Sequence, residues 1–271
     1  MRTVVIIGGG ASGMAAAISA REDKQNRIIL LERQQRVGKK LLSTGNGRCN
    51  LTNTGARPEN YHGAQPDFPA AVLSRFTPED TLRFFDSLGL TVSLEYGGRV
   101  YPQSNSANSV VDVLRFALLR DNISVRTSCP ARGIERRSEG FAVKTDEGEI
   151  HADCVIVSCG GAAGTKVGGV TDGYALLKPL GHKCTQIRPS LVQLITDPTY
   201  PRALKGVRVN AKTALECGGS IVAESEGELQ FTETGVSGPA AFDISRAASE
   251  NGRGVIHIDL SGGADIEGKL R

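Results

Sequence analysis

Three glycines near the N-terminus constrain the fold of this chain more than any other feature. Gly8, Gly10 and Gly13 follow the apolar, β-branched residues 3–7 and precede residues 14–20, which are rich in small helix formers. This order predicts a buried strand, a tight turn and a helix that begins in the turn. The spacing alone is a weak signal, so a glycine-rich turn in an unrelated α/β protein is the alternative.

The residues after this helix favour a dinucleotide-binding unit. Residues 27–31 form a second apolar segment that ends at Glu32, which completes a βαβ unit. In such a unit Gly8 permits the tight turn, Gly10 lets the backbone approach a pyrophosphate, and Gly13 lets the helix pack close to the strand. Glu32 is placed to accept hydrogen bonds from an adenosine ribose. We therefore expect a Rossmann-type domain of the α/β class.

The N-terminus of the predicted helix is the expected phosphate site. At Ala11 and Ser12 the helix offers N–H groups without intrahelical partners, together with a partial positive charge. Both features favour a bound anion, so we include these two residues among the expected cofactor contacts.

A polar, glycine-rich loop follows Glu32 at residues 37–55, and its composition excludes a regular buried element. Its Gly, Asn, Ser and Thr residues offer many hydrogen-bond donors to a ligand. Arg48 in this loop could counter a diphosphate. The alternative is a solvated loop without a ligand.

The middle of the chain alternates helix and strand signals. Thr77 precedes Pro78, and Asp80 follows three residues after Thr77, which predicts a capped helix that Gly89 ends. The apolar spacing then predicts a second helix at residues 109–119, a strand and antiparallel meander at 123–151, and a buried strand at 153–158 that runs into Gly160 and Gly161.

The last third of the sequence predicts a different kind of secondary structure. From about Leu191 short alternating strands dominate, with turns predicted at Gly218 and Gly219 and at Glu226 and Gly227. One helix is predicted from Pro239 to the Asn251–Gly252 pair. We interpret residues 191–271 as a second, mainly β domain that follows residues 1–190.

The composition is that of an ordinary globular protein. The 271 residues are 39% hydrophobic and 23% charged, and the formal net charge is +3. This charge is too small to indicate a nucleic-acid or membrane surface, and no signal peptide or membrane span is apparent. Six cysteines without a Cys-x-x-Cys pair indicate reduced thiols in a cytoplasmic protein, and the four scattered histidines indicate no metal site.

The loop at residues 38–53 has the sequence Gly-Lys-Lys-Leu-Leu-Ser-Thr-Gly-Asn-Gly-Arg-Cys-Asn-Leu-Thr-Asn. It resembles the most distinctive stretch of the BaiN/YhiN-type bacterial flavoproteins, which are often labelled aminoacetone-oxidase-family FAD-binding enzymes. Further similar motifs follow in the family's order along nearly the whole chain: the Gly-Arg-x-aromatic-Pro at 98–102, the glycines 160 and 161, Thr-Asp-Gly-Tyr at 171–174, Leu-Gly-His at 180–182, Pro-Ser-Leu at 189–191, and Phe-Thr-Glu-Thr-Gly-Val-Ser-Gly-Pro at 231–239.

The resemblance implies a glutathione-reductase-like FAD domain at residues 1–190, with its antiparallel meander, and a β-rich inserted domain from residue 191. Together with the fingerprint, it implies cofactor contacts from the following residues: Gly8, Gly10, Ala11, Ser12, Gly13, Glu32, Arg33, Lys40, Asn46, Gly47, Arg48, Cys49, Asn50, Ala131, Cys159, Gly160, Gly161 and Asp172.

The chain departs from the family pattern at three points. The strand before Gly160 ends in Ser158 and Cys159 instead of Ala-Thr, and the turn after Gly161 lacks an aromatic-proline pair. Family members also continue beyond the inserted domain, with a return to the flavin domain that supplies a segment beside the isoalloxazine. By this comparison we expect the sequence to be an N-terminal fragment, with the inserted domain incomplete.

The implied function is an FAD-dependent oxidoreductase. Hydride would move between a small organic substrate or NAD(P)H and flavin N5, and family labels name both an amine oxidase and an unsaturated-steroid reductase. A flavin- or nucleotide-binding remnant without turnover is the alternative. A dehydrogenase that uses only a nicotinamide is a third interpretation, which explains the glycine fingerprint but not the loop around Arg48.

Five residues have open roles. Cys49 and Cys159 are expected near the cofactor, either as structural thiols or as a redox dithiol. His182 is either a turn residue or a catalytic one. Arg99 and Tyr101 either face the substrate or serve the fold.

Overall fold

A computed structural model describes residues 1–63, 65, 67–262 and 268. The chain forms two compact units, Met1–Lys183 and Cys184–Arg271. The division falls a few residues before the boundary at residue 190 that the sequence suggests, and the last residues of the second predicted domain lie mostly outside the described part.

The first unit contains the predicted α/β domain. Its elements in chain order are β1 (Arg2–Ile7), α1 (Ala11–Ala20), β2 (Asn26–Leu31), β3 (Thr52–Asn53), α2 (Phe68–Leu73), α3 (Pro78–Ser87), β4 (Val92–Leu94), β5 (Arg99–Pro102), α4 (Ala107–Ala117), β6 (Ile123–Arg126), β7 (Ala131–Arg136), β8 (Phe141–Thr145), β9 (Gly148–Ala152), β10 (Cys154–Val157) and α5 (Asp172–Leu177). Five short 3₁₀ segments connect them, at Leu41–Gly47, Pro58–Asn60, Tyr96–Gly98, Thr165–Val167 and Lys178–Leu180.

The central sheet of this unit is parallel, with the strand order β10-β1-β2-β6. Counted along the sheet, this is the 3-2-1-4 order of a Rossmann fold, read from the other edge. Strands β7, β8 and β9 form the predicted antiparallel meander, and β3, β5 and β4 form a small antiparallel sheet. The expectation of an α/β Rossmann-type domain with a meander is therefore confirmed.

Both faces of the parallel sheet are buried. Alternate residues of β1, such as Val4 and Ile6, pack with Met14 and other apolar side chains of α1 and α4. The intervening residues Val5 and Ile7 pack with apolar side chains of the meander and α5. This arrangement explains the uninterrupted apolar sequence of β1 and β2, because a strand covered on both faces needs no polar alternation.

Helix α3 begins with the predicted capping box. The Thr77 hydroxyl accepts from the Asp80 N–H at 3.2 Å, and the Asp80 carboxylate accepts from the Thr77 N–H at 2.8 Å. Helix α4 begins at Ala107, two residues earlier than predicted, because Ser106 is the N-cap and accepts from the Asn108 N–H at 3.3 Å.

The second unit is mainly antiparallel sheet, as predicted. Its elements are β11 (Leu194–Ile195), α6 (Thr199–Ala203), β12 (Arg208–Cys217), β13 (Ser220–Phe231), β14 (Gly235–Ser237), α7 (Pro239–Asn251) and β15 (Val255–Asp259). The sheet order is β11-β14-β13-β12-β15, and α7 packs on one face through Ala240, Ala241 and Ile244.

The turn predicted at Glu226 and Gly227 is wrong, whereas the one at Gly218 and Gly219 is confirmed. Strand β13 continues through Gly227, which pairs with Ala211 of β12. A Cβ atom on Gly227 would lie 4.0 Å from Ala240 N, at the start of α7. The glycine therefore marks the place where a helix crosses the strand.

Candidate cofactor-binding site

A pocket of about 840 Å³ opens in the first unit where the parallel strands end. The residues that follow β1, β2 and β10 line it, together with the start of α1 and part of the meander. Ligands of open α/β sheets bind at the carboxyl ends of the strands, so this is the expected position of a cofactor.

The glycine turn after β1 is closely packed at two of its three fingerprint positions. A Cβ on Gly8 would lie 2.5 Å from Ser158 O, and Gly8 has a φ of +108° that side chains rarely adopt. A Cβ on Gly13 would lie 1.8 Å from Gly8 O. Any side chain at either position would therefore push the helix and strands apart.

Gly10 differs from the other two glycines because its missing side chain faces open space. A Cβ there would meet no atom within 4 Å, and Gly10 lines the pocket. It is the N-cap residue of α1 and makes no side-chain capping bond. The first N–H groups of α1 therefore have no intrahelical acceptor and can bind an anion.

Glu32 is held rigidly at the pocket wall. One carboxylate oxygen accepts from the Gly9 N–H at 2.7 Å, and the other accepts from the Gln34 N–H at 2.7 Å. Each oxygen of an ionised carboxylate has a second lone pair. The half-buried carboxylate can therefore accept hydroxyl hydrogen bonds from a ligand without moving.

Five of the eight charged side chains of the pocket wall form ion pairs. Arg33 contacts Asp172 at 3.2 Å, and Arg132 forms a two-point contact of 2.8 Å and 2.8 Å with Asp146. Lys144 is paired with Glu135. The partner of Lys40 is a carbonyl: its Nζ donates to Gly161 O at 3.4 Å.

Cys159 lies at the pocket floor as a protonated thiol. Its Sγ donates to Ile7 O at 3.5 Å. Burial raises the pKa of this thiol, and the negative charges of Asp172 and Glu32 raise it further. Ser158 beside it donates to Ile7 O at 3.0 Å and to Gly8 O at 3.1 Å. The Ser-Cys pair that departs from the family pattern therefore ties the end of β10 to the glycine turn.

The structure brings a majority of the predicted site residues to this one pocket. Those in its lining are Gly8, Gly10, Ala11, Ser12, Glu32, Arg33, Lys40, Ala131, Cys159, Gly160 and Asp172. Gly13 and Gly161 adjoin the lining through the contacts given above. The five other predicted residues, which do not line the pocket, are Asn46, Gly47, Arg48, Cys49 and Asn50.

Arg48 is occupied by neighbours from a distant part of the chain. It forms an ion pair with Glu95, and its Nε and Nη2 donate to Asn105 Oδ1 at 3.0 Å and 2.7 Å. Its guanidinium lies 4.0 Å from the centre of the Tyr101 ring. The hydrogen bond to Glu95 raises the pKa of Arg48. A direct cofactor contact by Arg48 stays a prediction.

The remaining candidates are divided between the surface and the core. Cys49 is buried, and burial raises the pKa of its thiol. Tyr101 is buried, whereas Arg99 and His182 are exposed. His182 does not line the pocket. All six cysteines are free thiols, so no disulfide links Cys49 to Cys159.

Three features of the pocket are not predicted from sequence. Gly9 orients Glu32 through its N–H, Arg132 lies beside a bulge in β7, and Leu176 covers the floor from α5. The apolar spacing of α5 was a usable signal for Leu176. No local sequence pattern predicts the position of Arg132, because the bulge results from the pairing of β7 with β8.

Within the described part of the chain, no group of His, Cys, Asp and Glu side chains is arranged to hold a metal ion. No helix among the same residues has the length and apolar character needed to cross a membrane. The pocket instead matches a dinucleotide: Gly10 leaves room for a close backbone approach, the start of α1 suits phosphates, and Glu32 suits ribose hydroxyls.

The fold and the pocket define a dinucleotide-binding domain of the Rossmann type found in flavoproteins. The family described as "HI0933-like protein Rossmann domain" matches residues 2–266, and the chain belongs to this FAD flavoprotein family. Membership implies a flavin cofactor, and the resemblance inferred from the sequence motifs is confirmed.

Two curated relatives are similar over most of the chain. The 3-dehydro-bile acid delta(4,6)-reductase of Clostridium scindens is 41% identical over 247 residues, which are 91% of this chain and 60% of that protein. The ribosomal RNA dihydrouridine synthase of Escherichia coli is 28% identical over 244 residues, 89% of this chain and 60% of that protein. The chain thus spans about 60% of the length of these relatives.

Among solved structures, the open conformation of a flavocytochrome c3 fumarate reductase is similar in fold. It has a TM-score of 0.50 and 18% identity, and the match covers 77% of this chain and 47% of that one. At this identity the likeness concerns the fold alone.

Proposed function

We propose that this chain binds FAD and takes part in an oxidoreductase reaction between NAD(P)H and a small organic substrate. The observation that supports this most is the Glu32 carboxylate, oriented by Gly9 and Gln34 at the wall of a glycine-lined pocket. Family membership supports flavin over a nicotinamide as the resident cofactor. When bound, FAD would supply a ring that can accept and donate a hydride.

Different residues of the chain would bind different parts of the dinucleotide. The start of α1 at Ala11 and Ser12 would bind the phosphates through N–H groups. Glu32 would accept the ribose hydroxyls. The meander would flank the pocket through Ala131, at the point where β7 bulges. The thiol of Cys159 would remain protonated and act as an apolar wall.

The names of the relatives suggest the substrate class. A 3-dehydro-delta(4,6) bile acid carries carbon–carbon double bonds conjugated to a ketone, and the ring double bond of uridine is likewise conjugated to a carbonyl. Both names describe saturation of such a bond. We therefore propose an α,β-unsaturated carbonyl compound as substrate. The balanced reaction is substrate plus NAD(P)H plus H⁺, giving the saturated carbonyl compound plus NAD(P)⁺.

A small molecule is a better candidate than RNA for this chain. The relative named for a small molecule is 41% identical, against 28% for the relative named for ribosomal RNA. The net charge of +3 over 271 residues also favours a substrate without many phosphates.

The first experiment tests the cofactor. The purified chain is titrated with FAD while flavin fluorescence is followed, and then mixed with NADH or NADPH without oxygen while absorbance near 450 nm is recorded. Saturable FAD binding and bleaching by a nicotinamide support the proposal. A protein that binds NAD(P)H but not FAD would overturn it.

The second experiment tests the substrate class. A 3-oxo-4-ene steroid and a uridine-containing ribosomal RNA fragment are each incubated with FAD-loaded protein and NAD(P)H, and products are analysed by mass spectrometry. A gain of two hydrogen atoms in the steroid supports the small-molecule assignment. The same gain only in the RNA would replace it with a nucleic-acid substrate.

A further inference from the structure

We propose that the bulge in β7 binds the adenine base of the dinucleotide, with Gly133 leaving the space for the ring and the Arg132 guanidinium covering it. The inference rests on the proposed function, since it concerns the same pocket. It adds the recognition of the base, through two residues that no sequence motif indicates.

The start of the meander is tied to the residue that would bind the ribose. The Cys129 N–H donates to Glu32 O at 2.9 Å, and from there the chain follows the pocket wall into β7. Arg132 and Gly133 lie three and four residues beyond Cys129, which is at most roughly 10–13 Å of extended chain. That distance is on the order of the length of a nucleoside. A base whose ribose lies at Glu32 therefore reaches the level of these two residues.

The bulge gives Arg132 its position on the pocket wall. The two residues that flank it in β7 pair with adjacent residues of β8, Thr145 and Lys144, so Arg132 has no partner on that strand. A bulge of this kind redirects a side chain, and both Arg132 and Gly133 line the pocket. Ile134, the next residue, is buried in the core. The wall at this point therefore consists of one charged side chain and one bare stretch of backbone.

The Arg132 guanidinium is ordered before any ligand binds. Its Nε and Nη2 donate to the two carboxylate oxygens of Asp146, each at 2.8 Å. This two-point contact fixes the plane of the guanidinium, while 62% of the side chain stays exposed. A flat cation can stack on an aromatic ring. Because Asp146 already balances its charge, Arg132 suits an uncharged base better than a phosphate group.

The fold itself does not require glycine at position 133. The φ angle of Gly133 lies outside the left-handed region, so the backbone there accepts other residues. A Cβ would meet only Lys144 Cδ, at 3.9 Å, which is an ordinary contact. Glycine weakens a strand, and it often marks a place where a ligand approaches the backbone closely. The space that a side chain would fill here is the space that the base occupies.

The first test replaces Arg132 by Lys and by Met. Arg132→Lys keeps the charge and loses the plane, whereas Arg132→Met loses both. Dissociation constants for ADP, for adenosine and for FMN, which lacks adenine, are measured by calorimetry. We expect both variants to bind ADP and adenosine about fivefold to tenfold more weakly, the size of one lost stacking contact, and to bind FMN as wild type does.

Arg137→Met is the matched control for this test. Arg137 follows β7 in the same meander, is paired with Glu149 at 2.9 Å and does not line the pocket. The affinities of Arg137→Met for all three ligands should stay within about twofold of wild type, because an exposed ion pair contributes little.

The second test is Gly133→Val, with Gly133→Ala as the smaller step. Valine suits a strand, so we expect the free energy of unfolding in urea to stay the same or rise. The new side chain would occupy the space of the ring, so ADP and adenosine should bind at least about tenfold more weakly. Gly133→Ala should lie between Gly133→Val and wild type. A loss of affinity without a loss of stability separates a filled binding site from a defect in the fold.

Several outcomes would overturn the assignment. Wild-type affinities in Arg132→Lys would show that charge alone matters, and a loss for ADP but not for adenosine would move Arg132 to the phosphates. Equal losses in Arg137→Met would indicate a general charge effect, and unchanged ADP affinity in Gly133→Val would place the base elsewhere. If wild-type protein binds neither FAD nor ADP, the proposed function fails; if wild type binds both and only these effects are absent, the proposed function stands without this inference.

Discussion

Gly13 lies so close to Gly8 that a Cβ atom on Gly13 would be 1.8 Å from the Gly8 carbonyl oxygen. The contact joins helix α1 to the end of β1. At Gly10, three residues earlier, a Cβ would meet nothing within 4 Å. The motif therefore needs glycine at these two positions for different reasons: at Gly13 the helix packs against the strand, and at Gly10 space is left on the pocket side.

This difference gives the first prediction. Gly13→Ala should lower the free energy of unfolding by at least about 1–3 kcal/mol, because the helix must move away from the strand. Gly10→Ala should cost about 1 kcal/mol or less and yet weaken FAD, because the methyl group projects into the pocket. Urea denaturation and FAD titration separate the two. Wild-type stability in Gly13→Ala would contradict the packing role, and unchanged FAD affinity in Gly10→Ala would contradict the cofactor position.

The second prediction concerns Glu32. Glu32→Gln replaces one acceptor oxygen by an amide, which then faces the N–H of Gly9 or Gln34. We expect FAD affinity to fall by about 1–3 kcal/mol, together with a lower melting temperature. Glu22→Gln is the matched control, because the Glu22 side chain is 77% exposed. If both variants bind FAD as wild type does, Glu32 does not contact the ribose.

The third prediction concerns the neighbours of Arg48. Arg48→Ala leaves Glu95 and Asn105 without their partner and removes the cation from the Tyr101 ring. We expect the free energy of unfolding to fall by about 1–2 kcal/mol, with Arg48→Lys in between because a lysine cannot reproduce the two-nitrogen contact. The loss of FAD affinity should be smaller than in Glu32→Gln. The reverse ranking in FAD titrations would restore the sequence-based expectation that Arg48 contacts the cofactor.

The fourth prediction is a pH dependence of thiol reactivity. Because the pKa of Cys159 is raised, its thiolate fraction at pH 8 is small, and alkylation should be slower than at the exposed Cys184. FAD or ADP should slow it further, since Cys159 lines the pocket. Mass spectrometry of peptides after timed iodoacetamide treatment measures both rates. Equal rates at the two cysteines would contradict the half-buried, protonated state of Cys159.

The raised pKa values of the cysteine thiols also affect the stability of the folded protein. Folded Cys49, Cys129 and Cys159 all have raised pKa values, so the unfolded thiols lose their protons at a lower pH than the folded ones. The stabilisation is complete below the unfolded thiol pKa of about 8.5 and is lost as pH rises through the folded values. Urea denaturation between pH 7 and pH 10 should therefore show falling stability, and a Cys159→Ala variant should show a smaller fall.

Local signals in the sequence predicted much of this protein. The fingerprint glycines and the acid at the end of β2 predicted a βαβ unit, and Thr77 with Asp80 predicted the start of α3. These predictions succeed because each depends on neighbours within a few residues, where backbone geometry leaves few choices.

The loop around Arg48 shows where such reasoning ends. Its composition indicated a ligand-binding segment, but the partners of Arg48 are 47 and 57 positions away in the chain. Lys40 carries the same charge only eight residues earlier, and the fold directs it into the pocket instead.

The sequence by itself determined the class of fold, the glycine turn and the acid that faces it, because strand, turn and helix formation follow from local chemistry. The tertiary structure decided which cations stay available to a ligand. That choice depends on which carboxylates, amides and rings from remote segments come within hydrogen-bonding distance, and packing in three dimensions alone sets those distances. For the same reason Gly227 continues a strand beneath α7, although its local sequence is typical of a turn.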